Sequence, residues 1–199
     1  MMPSLFSLSR VAVCAALLGC SAREPAAATP TTAAGSDTTP IVASTPATVA
    51  ADSFAWLAVD SAARSVTLEL EVTAPPGQPS ALINGYRSGG ATIVVPLGWT
   101  VKWNWSSADS TAAHSLVVMV QREKIPLEGG RSSFSNAMTR NVTEGLRPGV
   151  TDQSVFVAEE AGWYWMLCGV PSHAVDGEWL ELRVDPEART ASVKVRGAH

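Results

Sequence analysis

Val66-Thr67-Leu68-Glu69-Leu70-Glu71-Val72 alternates apolar and polar residues, and so does Trp99-Thr100-Val101-Lys102-Trp103-Asn104-Trp105. Successive side chains of a strand point to opposite faces, so each stretch predicts a strand with one face in a core and the other toward water. Strand-like runs recur at Phe54–Val59, Ala91–Val95, His114–Val120, Ser154–Ala158, Gly162–Cys168 and Glu178–Val184, and Ala191–Val195 offers one more. Between them stand turn formers: Pro75-Pro76-Gly77, Gly89-Gly90, Pro96-Leu97-Gly98, Pro148-Gly149 and Ala161-Gly162. No stretch carries sustained helical periodicity. Many short strands with regular turn signals predict an all-β domain, a β-sandwich or barrel. The polar span 121–150 breaks the rhythm and reads as a long excursion with room for a short helix or an edge strand.

Upstream of the strands the character changes twice. Arg10 precedes the apolar run Val11–Leu18, which has the length of a signal-peptide core and is too short to span a bilayer. Leu17-Leu18-Gly19-Cys20 resembles the bacterial lipobox, which implies cleavage before Cys20 and lipidation of that cysteine. The segment up to residue 52 is Ala, Thr, Pro and Ser with almost no aromatics. Such a composition cannot bury enough apolar surface to offset its ordering entropy, so it reads as a disordered tether. The expected organisation is a signal peptide over 1–19, a lipidated Cys20 and tether over 20–52, a folded domain over 53–184 and a tail over 185–199. A lipid anchor places the domain in a bacterial cell envelope, with Ser21 after the cysteine resembling lipoproteins sent to an outer membrane.

Net charge is −4 and no basic block occurs, which argues against a nucleic-acid partner. The chain has three cysteines, and two of them, Cys14 and Cys20, lie in the N-terminal segment. The folded part therefore carries a lone thiol, Cys168, and no internal disulfide.

That thiol lies in the most informative segment, Cys168-Gly-Val-Pro-Ser-His173-Ala-Val-Asp-Gly-Glu178, between two expected strands. A Cys and a His on one loop can turn toward a single point, because a loop is free of strand alternation. Upstream, His114 opens another apolar run. One thiolate with two imidazoles suits copper or zinc and not magnesium or calcium. The chain offers no Ser-His-Asp arrangement, no phosphate-binding glycine loop and no histidine left over for hydrolysis, since His199 is the chain terminus. An enzyme outside copper chemistry is not expected.

Asn84-Gly85-Tyr86, Ala91–Trp99 (ATIVVPLGW), His114–Val118 and Cys168–His173 together resemble the sulfocyanin family of cupredoxins. The ligand-loop spacing also resembles that of rusticyanin. The resemblance runs from about Trp56 to Val184 and implies a two-sheet Greek-key sandwich. It also implies one mononuclear copper, with His114, His173 and Cys168 as equatorial ligands, and a one-electron carrier serving a redox partner protein in the envelope. Where these families place an axial Met, this chain has Glu178. Strand parity puts Glu178 on the face of Leu180, Leu182 and Val184, where an acidic group needs a partner, and a metal is the candidate. Met166 shares the face of Cys168 but lies ~6–7 Å along the strand, too far to ligate. A carboxylate in the axial position favours Cu(II), lowers the potential and shifts the colour from blue toward green or red. The ligand set then resembles that of nitrosocyanin, which keeps open a small-molecule copper site. A non-redox copper or zinc module is a third possibility, because zinc accepts the same donors.

Overall fold

A computed structural model describes residues 54–196. The expected signal peptide, Cys20 and the tether lie outside the described residues. Ten strands form two sheets: β1 Leu57–Asp60, β2 Ser65–Thr73, β3 Leu82–Ile83, β4 Ala91–Pro96, β5 Thr100–Ser107, β6 Val117–Val120, β7 Asp152–Val157, β8 Gly162–Leu167, β9 Trp179–Asp185 and β10 Ser192–Val195. One sheet runs β1-β2-β5-β7 with β3 on β2, and the other runs β10-β4-β9-β8-β6. Both are mixed, because β2 pairs parallel with β5 and β4 parallel with β9. The all-β sandwich expected from the alternating runs is the fold observed.

Alternation explains the core. Val66, Leu68, Leu70 and Val72 of β2 and Val101, Trp103 and Trp105 of β5 are buried, along with Ile93 and Val95 of β4 and Leu180, Leu182 and Val184 of β9. Each large apolar side chain moved from water to such an interior contributes ~1.5–3 kcal/mol. Aromatic rings add directional contacts: Trp103 meets Phe156 edge-on at 5.5 Å, Phe134 stacks on Phe156 at 5.4 Å, and Phe134 leans on Tyr164 at 4.8 Å. Phe134 comes from the long loop, so that loop plugs the core and is not a bare excursion. Span 121–150 contains neither a helix nor a named strand, only isolated bridges of Met138 to Val117 and Leu146 to His114.

Two boundaries differ from the sequence expectation. The run expected as a strand from His114 is a ladder only from Val117. The amides of Ser115 and Leu116 go instead to the Cys168 sulfur at 3.4 Å and the Thr139 hydroxyl at 3.0 Å. The further strand expected at Ala191–Val195 is β10, and because it pairs with β4 the packed domain continues beyond Val184 into the expected tail.

Candidate metal centre

β8 runs antiparallel to both β6 and β9, with Leu167 opposite Val117 on one side and Trp179 on the other. The start of β6, the end of β8 and the start of β9 therefore meet at one end of the sandwich. His114 precedes β6, Cys168 follows β8, and Glu178 precedes β9. His173 comes from the loop between the last two. The metal-ligating atoms that these four residues offer all lie within 4.8 Å of one another.

The loop bearing His173 is closed at its neck by the Cys168 amide, which donates to the Glu178 carbonyl at 3.0 Å. Within it, Asp176 N–H donates to Ser172 O at 2.9 Å and Glu178 N–H to His173 O at 2.9 Å. Ser172 sits at φ 72°, a left-handed conformation that turns the chain sharply just before His173. Winding the loop this way carries His173 back over Cys168 and Glu178. Ser115 supports the sulfur from below: its hydroxyl accepts from Gly169 N–H at 2.8 Å and donates to Val142 O at 2.7 Å.

Glu178 is 1% exposed, and β9 buries alternate residues beyond it, as parity required. Its carboxylate faces His114 Nδ1 at 2.9 and 3.0 Å and His173 Nδ1 at 3.1 Å. His173 Nδ1 also lies 3.5 Å from Cys168 Sγ. A water-facing Glu178 is thereby ruled out.

These groups hold one another in charged forms. Burial opposes a charged His114, but the Cys168 and Glu178 groups beside it, with Asp109, outweigh burial and raise its pKa to about 10. For His173 the Cys168 and Glu178 contacts dominate and raise it to about 9. Burial works against the Cys168 thiolate and the Glu178 carboxylate, yet both pKa values are lowered by the two imidazoles.

A fifth residue was not singled out from the sequence. Asp109, 6% exposed, accepts from His114 Nε2 at 2.8 Å. The sequence does carry a local signal for its conformation: Asp109 Oδ1 accepts from Thr111 N–H at 2.7 Å, the Asx-turn pattern of Asp-Ser-Thr. Nothing local foretells its contact with His114.

A mixed sandwich closing over a buried Cys, two His and a Glu at one end is a cupredoxin architecture. The sulfocyanin (SoxE) domain model matches residues 52–193, and the chain belongs to that family. Sulfocyanin of Sulfolobus acidocaldarius is 28% identical over 129 residues, covering 61% of this chain and 64% of the relative. The match thus spans less than two thirds of the relative's length. Similar solved structures include rusticyanin from Thiobacillus ferrooxidans, with TM-score 0.43, 20% identity and coverage of 61% of this chain and 82% of that one. Reduced auracyanin from Roseiflexus castenholzii has TM-score 0.40, 18% identity and coverage of 59% and 97%.

Copper fits the residues present. A buried thiolate, two imidazoles and a carboxylate converge, with no lysine or arginine paired to them among the described residues, and soft sulfur with imidazole nitrogen is donor chemistry that suits copper.

Proposed function

We propose that the protein is a one-electron carrier of the cell envelope with a single copper held by His114, Cys168, His173 and Glu178. The observation that carries this reading is the convergence of the four donor residues within 4.8 Å at the end of a rigid sandwich. Bound copper supplies the redox couple; the chain's part is to hold both oxidation states in nearly one geometry. The sulfur is fixed by Ser115, the loop neck by the Cys168–Glu178 hydrogen bond, and the imidazoles by buried carboxylates. Glu178 adds a negative charge that favours Cu(II), which supports a lowered potential and a colour away from blue.

Electron exchange needs a ligand edge that reaches the surface, with apolar surface around it for a partner to cover. The His173 side chain is 25% exposed, Val175 on the same loop is 56% exposed, and Leu127, whose carbonyl accepts from Ser172 N–H at 2.7 Å, is 63% exposed. These features support a redox partner docking over the ligand loop. Attachment through a lipid on Cys20 is part of the same reading. It rests on the lipobox-like Leu17–Cys20, and Cys20→Ser is expected to release the protein from membranes.

One observation favours a second reading. A cavity of about 180 Å³ touches His114, His173, Glu178, Asp109, Asp176 and Ala112. It gives a small molecule room beside the metal.

The deciding experiment is addition of Cu(II) to the protein, followed by absorption and EPR spectra. A thiolate-to-copper charge-transfer band is expected; its absence in folded protein would overturn the copper reading and promote zinc. Spectral change on adding nitric oxide would select the small-molecule reading, and an unchanged spectrum the carrier.

A further inference from the structure

His114 has a buried carboxylate at each ring nitrogen. Glu178 faces Nδ1 at 2.9 Å, and Asp109 faces Nε2 at 2.8 Å. His173 differs: its side-chain hydrogen bonds among the described residues, to Cys168 and Glu178, run through Nδ1 alone. The two imidazoles of the site are therefore chemically unequal.

Asp109 is built to face His114. Its Oδ1 is occupied by Thr111, which donates its amide at 2.7 Å and its hydroxyl at 2.6 Å. Its own amide donates to Ser107 Oγ at 3.2 Å. These contacts fix the carboxylate plane and leave Oδ2 directed at the imidazole. Asp109 precedes His114 on the same loop, so the pair forms when that short loop closes.

We propose that Asp109 is a positioning residue of the metal centre that commits His114 to bind through Nδ1 and, by accepting the Nε2–H, makes this imidazole the more basic of the two. The proposal rests on the copper reading above and adds a residue outside the donor cluster. A carboxylate on the far nitrogen of a metal-bound imidazole fixes the tautomer and raises ligand basicity. Its burial strengthens a hydrogen bond that water would otherwise weaken. Cu(II) gains more from a basic imidazole than Cu(I) does, so Asp109 acts on the potential in the same direction as Glu178, without touching the metal.

The test compares Asp109→Asn and Asp109→Ala with the native protein. Asn keeps an acceptor oxygen and removes the charge; Ala removes both. Cu(II) affinity is expected to fall ~10–100-fold for Ala, with Asn between. Cu(I) affinity falls less, so the potential rises by about 59 mV for each tenfold change in their ratio. The charge-transfer band persists in both variants. A lowered melting temperature with an unmoved potential would leave Asp109 a merely structural role and overturn the proposal. Should the native protein show no charge-transfer band, the copper reading fails by itself. Zn(II) affinity then reads the positioning: a ~10–100-fold loss in Asp109→Ala supports it and equal affinity overturns it. If Ala fails to fold, Asn carries the same comparison.

Discussion

The Cys168 amide donates to the Glu178 carbonyl at 3.0 Å, so the first and last residues of the ligand loop are tied to each other through their backbones. Both side chains are then presented from one clasp, with His173 carried on the loop that the clasp closes.

Glu178→Met tests the departure from an axial thioether. The substitution removes a buried charge that faces His114 at 2.9 Å and His173 at 3.1 Å. The reduction potential should rise and the absorption spectrum of the copper-loaded protein should move toward blue. A spectrum and potential identical to the native protein's would make Glu178 a bystander.

Gly169→Ala probes the packing behind the sulfur. A Cβ there would collide with the Val142 side chain and come within 2.8 Å of the Val142 carbonyl oxygen. Backbone must move, and the Gly169 amide that bonds Ser115 moves with it. Overpacking of this kind costs ~1–3 kcal/mol. Urea unfolding should show the loss, and the EPR spectrum should change because Cys168 is the preceding residue.

Leu68→Ala separates the fold from the site. Leu68 is fully buried in β2, opposite Trp103 of β5. The cavity should cost ~2–5 kcal/mol in urea unfolding. The copper spectrum should stay as it is, since no donor residue lies on the β1-β2-β5-β7 sheet. A shifted spectrum would reveal coupling between the two sheets.

Stability of the metal-free protein should fall at high pH. His114 and His173, raised to about 10 and about 9, bind protons more tightly folded than unfolded. Their contribution is complete below the ordinary value of ~6.5 and is lost as pH rises through the folded values. Cys168, lowered from 9.0, acts in the opposite sense below that value and offsets only one of the two imidazoles, so a net loss remains. At the acid end, Asp109 is opposed by burial but lowered to about 2 by His114 and Thr111, and its contribution disappears as pH falls toward that value. Urea midpoints at pH 6 and pH 10 check the alkaline limb, with the higher midpoint expected at pH 6.

Strands with a buried face were legible because alternation is a local pattern: β2 and β5 could be read residue by residue, and Glu178 inherited its inward direction from Leu180 and Leu182. Cys168 and His173 were legible because they share one loop. β3, only Leu82–Ile83, is too short to carry a period. The packing of Phe134 against Phe156 and Tyr164 joins segments distant in sequence, so the loop's place in the core could not be read locally. Asp109 was missed for a different reason. Its turn is local, but the closure of the loop from Asp109 to His114, which brings Oδ2 to Nε2, leaves no pattern in the sequence.

The parallel pairing of β4 with β9 joins Thr92–Pro96 to Glu181–Asp185, across most of the domain. Pairings between such distant segments form slowly, because the intervening chain must be ordered first. Synthesis delivers the N-terminal strands first, so the reactive sulfur emerges when most of its future shelter already exists. Three of the four donors, Cys168, His173 and Glu178, lie between β8 and β9, and they meet His114 where β8 stands between β6 and β9. The complete four-donor set thereby exists only once the sandwich is assembled.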